Sequence, residues 1–252
     1  ADNMAKEFTN LGGSIILSTS LKKIGLTNSK VTSIEYENKC MEVEGIVSTI
    51  PLDNLIPLFS PNAPEEVAKS ISKLQYRALI LIYLIIKKPR LFQESFIFYP
   101  EKKFVFNRSS EQKAFSEECV EADITVLCAE ISCDPTDEIF TASDEKVFDY
   151  ALTSLEKTGF LKREDIKGFF TKRAKKVYPV YSKGFKTHLN NLLEYLDNID
   201  NLLTIGRQGL FNYNNIDHCI DMALSAARQI SEKKDKKAWL IERQRFYKYV
   251  II

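Results

Sequence analysis

Nine consecutive apolar residues, ALILIYLII at positions 78–86, constrain this chain more than any other stretch. A membrane-crossing helix needs about 20 such residues, so the run is too short to span a bilayer. Its Ile, Leu and Tyr content suits a pleated surface, and the run predicts a buried strand. Strand-like segments follow at 95–99, 104–107 and 124–131, and another at 165–177 runs into YPVY. Together these could form one sheet.

Composition narrows the function classes. With 252 residues, 44% of them apolar and 27% charged, the chain can bury a core in one large or two smaller domains. A net charge of +1 gives no global field for nucleic acid or an anionic membrane. The five cysteines include no C-x-x-C pair, which suits reduced thiols and a cytoplasmic setting. His188 and His218 read as surface residues, and neither has a cysteine at metal-ligand spacing, so a zinc site is not expected. The opening ADNMAKEFTN has no apolar core of a secretory signal.

Before the apolar run, the segments 15–18, 31–37 and 45–49 read as strands, after a short helix over 4–10. Positions 65–73 are helical by spacing. Thr141-Ala142-Ser143 ahead of Asp144-Glu145 reads as a helix N-cap, and a Leu-rich helix covers 184–196. The helix that begins near Asn215 carries Ile216, Ile220, Ala223, Ala227 and Ile230 at core-facing spacing. The basic and aromatic tail after it reads as a peripheral helix with a solvated face.

The segment GRQGLFNYNN at 206–215 joins an apolar strand at 201–205 to that helix. A helix N-terminus leaves backbone N–H groups unpaired and carries partial positive charge, so it can receive an anion or a carbonyl oxygen. Gly206 lets a ligand lie against the backbone, Arg207 projects a fork of donors, and Tyr213 supplies a flat wall. A plain strand–helix connection with a surface arginine fits the same spacing.

GRQGLFNYNNIDHCI resembles the closing motif of the FAD-dependent amine oxidase, protoporphyrinogen oxidase and UDP-galactopyranose mutase group. GGSIILSTSLKKI, VEGIVSTIPL, FNRSSEQKAFS, CAEISC and YPVY resemble further segments of that group in the same order. The resemblance implies an α/β fold. An α+β substrate domain with a mixed, largely antiparallel sheet and covering helices would stand beside remnants of a Rossmann-like FAD-binding domain. It implies FAD as cofactor, held by Leu21, Thr49, Gly206, Arg207, Asn215, Ile216 and Asp217, with Leu21 lending its backbone to the adenine. It places Asn107, Arg108, Tyr178, Tyr181 and Tyr213 at the substrate, a small molecule such as an amine or a nucleotide sugar. The implied division is 1–59 (late FAD domain and crossover), 60–200 (substrate domain), 201–230 (closing strand and helix) and 231–252 (tail).

The group's G-x-G-x-x-G turn is not in this sequence, and Gly12-Gly13 precedes a strand-like segment instead of a helix. The expectation is therefore the C-terminal part of a longer flavoprotein, colourless by itself. The branch it resembles is associated with lipopolysaccharide and other surface polysaccharides. Two rival readings stand beside amine oxidation: a mutase acting on a nucleotide sugar without net redox, and a non-enzymatic interaction module built on the same fold.

Overall fold

Along the chain run α1 (Asp2–Asn10), β1 (Leu21–Thr27), β2 (Lys30–Tyr36), β3 (Lys39–Glu42), β4 (Ile46–Ser48), α2 (Leu52–Leu55), β5 (Phe59–Ser60) and α3 (Glu65–Ile71). Then come β6 (Gln75–Ile86), β7 (Phe96–Phe98), β8 (Arg108–Glu111), β9 (Thr125–Cys133), α4 (Glu138–Thr141), α5 (Asp144–Glu156) and β10 (Ile166–Val180). The last elements are α6 (Phe185–Asp197), β11 (Leu202–Thr204), α7 (Gly206–Gly209), α8 (Ile216–Ser231) and α9 (Lys236–Phe246). This computed structural model describes residues 2–250; positions 251 and 252 of the expected tail lie outside the described residues. The chain forms a mixed α/β structure in two compact units, one of Gln75–Tyr181 and one of Ala1–Leu74 with Ser182–Ile252.

In the unit Gln75–Tyr181 the apolar run becomes β6, at the second position of the five-stranded sheet β10-β6-β9-β8-β7. All of its pairings are antiparallel. Ala78, Ile80, Ile82, Leu84 and Ile86 point to one face, where they pack with Leu127, Ala129 and Ile131 of β9. Val147, Ala151, Leu152 and Leu155 of α5 cover them. Each buried Ile, Leu or Val side chain among these contributes about 1.5–3 kcal/mol, which fixes the register of the sheet. As expected, Ser143 caps α5, its hydroxyl accepting from Lys146 N–H. Arg173 of β10 donates to Asp144 and to the carbonyls of Phe140 and Ala142, so α5 is clamped over the strand. The Thr171 hydroxyl, and after it Arg173, hold the Asp144 carboxyl below the usual carboxylate range.

In the other unit, β3-β2-β1-β5 form a sheet that is antiparallel except for the short parallel contact of β1 with β5. α3 packs on α6, which buries Leu189, Leu192, Leu193 and Leu196 as their spacing predicts. A separate parallel pair joins β4 to β11, with Ile46, Val47 and Ser48 opposite Leu202, Leu203 and Thr204. The Asn201 amide ties this pair to β2, accepting from Val31 N–H and donating to the Val31 and Glu44 carbonyls.

Several expectations need correction. Residues 15–18 form no strand; the strand is β1, with Lys22 and Lys23 both facing water and Ile24 buried. Residues 104–107 are irregular, because Phe104 and Phe106 turn inward against Tyr99 and the strand starts one residue later as β8. α8 exists, but the apolar face read as its core side points outward: Ile216 is 81% exposed, Ile220 56% and Ile230 57%. Ala223 and Ala227 are exposed too. Its buried residues are Met222, Ser225, Ala226 and Gln229. Met222 and Ala226 pack with Leu203, Ile205 and Leu210 and with Trp239 and Phe246 of α9. The tail helix is therefore a core element: Trp239 is buried, and Arg243 ion-pairs with Asp197 of α6 at 2.5 Å. His218 is not a plain surface residue; its ring stacks on Tyr249 at 4.3 Å.

Candidate functional site

The ends of β4 and β11 define the first candidate region. Because the strands are parallel, their C-terminal ends lie together, where ligands of open parallel sheets collect. Ser48-Thr49 leave one strand there and Ile205-Gly206 leave the other. Gly206 has φ of +78°, a left-handed conformation that other residues adopt at a cost, and a Cβ added to it would meet nothing within 4 Å. Gly209 is constrained differently, since a Cβ there would lie 2.9 Å from the Ser48 carbonyl oxygen. One glycine thus opens space above the backbone, and the other lets α7 press against β4.

Arg207 is held in place by its own loop. Its Nε and Nη2 donate to the Asn214 carbonyl at 3.0 and 2.6 Å. The guanidinium lies 5.0 Å from the Tyr213 ring centroid. Phe211, at φ +48°, is driven into the core, which swings the loop toward the start of α8. Asn214 is only 1% exposed, yet its amide nitrogen and oxygen both lack a partner. A buried amide in that state costs on the order of 1–3 kcal/mol. Asn215 caps α8, its N–H donating to His218 Nδ1 at 3.2 Å. Ile216 and Asp217 follow in the exposed first turn. The structure therefore brings Thr49, Gly206, Arg207, Tyr213, Asn215, Ile216 and Asp217 to one strand–turn–helix region of this unit. Leu21 opens β1 in another sheet, opposite Tyr36.

The same unit has a cleft of about 630 Å³ beside the parallel pair, lined in part by Gly45, Val47, Leu203, Ile230 and Lys236. Burial pushes the Lys236 ammonium down to about 8, against a partial upward pull from Asp197. Lys236 Nζ donates to the Ile199 and Leu202 carbonyls. No sequence pattern marked this lysine, which sits in a run of charged residues.

The second region is the other face of the five-stranded sheet, opposite the side where Phe169 stacks on Phe148 of α5. Register puts Phe98, Arg108, Glu130, Leu81 and Lys172 in one cross-strand row on this face. Phe96, Ser110, Cys128, Tyr83 and Phe170 form the next row. Arg108 forks onto Glu130, with Nε–Oε1 at 2.8 Å and Nη2–Oε2 at 2.9 Å. Its guanidinium also lies within 6 Å of the Phe96 and Phe98 ring centroids, at 5.9 and 5.8 Å. Tyr83 and Phe170 stack at 4.7 Å. Burial, then the Glu130 carboxylate, push the Cys128 thiol up to about 12, so it is no nucleophile at neutral pH.

Of the expected substrate residues, Arg108 lies on this face, and Tyr178 joins it through its pairing with Arg77. Asn107 precedes β8 with an exposed side chain, its N–H donating to the Glu130 carbonyl. Tyr181 follows β10 and is half-exposed. Tyr213 is on the Arg207 loop in the other unit. Sequence reading missed Glu130, Tyr83 and Phe170; the alternation of β6, β9 and β10 was the signal that could have placed them.

The flavin-containing amine oxidoreductase family model matches residues 1–172, and the chain belongs to that family. The fold is similar to a reduced UDP-galactopyranose mutase (TM-score 0.71, 18% identity, 84% of this chain and 46% of that one). It is also similar to a putrescine oxidase bound to putrescine (0.65, 14%, 92% and 51%). An oxidoreductase from Methanosarcina mazei is a third match (0.61, 16%, 82% and 48%). The chain thus spans about half the length of these structures. No curated protein matches it by sequence. Among the described residues, no helix is long and apolar enough to cross a membrane.

Proposed function

We propose that these residues are the C-terminal portion of an FAD-dependent oxidoreductase of amine-oxidase type. They supply the closing edge of a Rossmann-like flavin domain in one unit and a substrate-binding sheet in the other. The observation that carries the reading is the buried, unpartnered Asn214 amide on the loop clamped by Arg207, at the C-terminal ends of two parallel strands. The residues present fit a flavin. Gly206 gives backbone access, and Arg207 offsets negative charge on a phosphate or a reduced ring. The first-turn N–H groups of Ile216 and Asp217 offer donors beside Thr49, and Leu21, on the separate β1 sheet, would serve only the far, adenine end of the cofactor.

FAD, when bound, would accept a hydride from the substrate, and the side chains named here would hold and orient it. The outward apolar face of α8 and the isolated parallel pair support the view that a further α/β half packs here. Two parallel strands alone are not a self-sufficient sheet. A mutase acting on a sugar nucleotide is the second reading. It is favoured by the Arg108–Glu130 pair, whose neutralised carboxylate is a poor receiver for a substrate ammonium.

The test is an amide NMR titration of the chain with FAD. Shifts concentrated at Thr49, Gly206, Arg207 and 215–217 are expected, and Arg207→Ala should weaken them about tenfold. The protein should still lose its colour on gel filtration. Shifts confined to other regions, or none at millimolar FAD, would contradict the proposal.

A further inference from the structure

We infer that the outer edge of β10 binds an extended acidic polypeptide segment, which adds to the five-stranded sheet as a further strand. The inference goes beyond the flavin reading and does not depend on it.

The first argument is the edge itself. β10 ends the β10-β6-β9-β8-β7 order, and β6 is its strand partner. In an antiparallel pair every second residue turns its N–H and C=O away from the partner, so an end strand presents a row of unpaired groups. Pairing with β6 is regular from Gly168 through Ala174, between two irregularities in register. Along that stretch no backbone hydrogen bond leaves the outer side among the described residues. Folded chains blunt such edges by shortness, proline, cover or lysine. β10 runs to 15 residues, against about 5–6 for an ordinary strand. Its Pro179 lies beyond the regular stretch, and none of its residues is buried. Lysine is the device that remains, and it acts by charge: it repels a like-charged strand and admits an opposite one.

That charge selects the occupant. Ile166–Val180 carries five basic residues and no acidic one, on a chain whose net charge is +1. β6 alongside has no acidic residue either. Arg173 is taken up by Asp144. Lys167, Lys172 and Lys175 are exposed and make no hydrogen bond or ion pair among the described residues. A second copy of β10 laid against this edge would set lysine against lysine, which disfavours self-pairing. A strand with carboxylates at alternate positions would meet Lys172 on one face of the sheet, while Lys167 and Lys175 flank its two ends. An anionic lipid surface would satisfy the lysines but not the backbone row, because only another polypeptide matches N–H and C=O at strand spacing.

The test is an amide NMR titration of the full chain with a seven-residue peptide alternating valine and glutamate. Shifts and slowed hydrogen exchange are expected at 168–174, and Lys172→Glu with Lys175→Glu, at exposed positions, should weaken binding about tenfold. Lysine in place of each glutamate should abolish it. Proline at the centre of the acidic peptide should abolish it too, with the charge unchanged. Equal binding of the proline peptide, or tighter binding to vesicles of equal parts phosphatidylserine and phosphatidylcholine, would reduce the edge to a charged patch and overturn the inference. So would the absence of shifts at 168–174 with millimolar acidic peptide.

Discussion

Two glycines three residues apart make different physical demands. Gly206 needs a left-handed backbone with empty space above it, whereas Gly209 has an ordinary backbone and no room. Gly206→Ala should cost about 1–2 kcal/mol through strain in the left-handed region. Gly209→Ala should cost about 1–3 kcal/mol, because the Ser48 carbonyl is main chain and cannot rotate away. Thermal melts of the two variants check this. The difference was not legible in GRQG: a sequence shows that a glycine is present, not which constraint keeps it there. The helix start near Asn215 was legible, because a strand, a glycine and an Asn-rich segment leave few geometries; which of Asn214 and Asn215 caps it was not. Glu130 was not, since a carboxylate in a β pattern reveals its partner only through register.

At the scale of elements, α8 shows where periodicity misleads. The i, i+4, i+7 series of Ile and Ala identified a helix and an apolar face, but not what that face meets. The opposite side was taken by α9, whose Trp239 and Phe246 outweigh small residues such as Ser225 and Ala226 in driving contact. Asp221 of α8 accepts from Arg245 and from the Tyr249 hydroxyl, which locks the choice. The junction of α9 with β11 should be sensitive to pH through Lys236. Its ammonium sits near 8 in the folded chain against an ordinary lysine value near 10.5, so the unfolded chain holds the extra proton between these values. Stability from this site is present above about 10.5 and is lost as pH falls through about 8. Denaturant titrations from pH 7 to about 10.5 should show wild type gaining on Lys236→Met across that window. A constant difference would contradict burial of the charge.

The whole molecule divides into a contiguous unit and an interrupted one. Gln75–Tyr181 holds a complete sheet, its own helices and a core that includes Ile82, Leu84 and Phe106. Expressed alone, it should give a β-rich circular dichroism spectrum and one cooperative melt. Residues 1–74 alone should not, because β4 would lack its neighbour. The presence of this sheet was legible from the run at 78–86, but its order was not, because β6 pairs with β9 and β10 and with neither of the strands next to it in sequence. The parallel β4–β11 pair was not, since nothing local in a three-residue strand specifies a partner so far along the chain. That distance has a consequence for biogenesis. The Asn201 amide closes on Val31 across 170 residues, so the N-terminal strands leave the ribosome long before their clasp is made. The inserted unit can fold first and draw the two ends of the loop together, lowering the entropy of that closure. Damage to the inserted sheet would then appear as slow or failed assembly of a segment it does not contain.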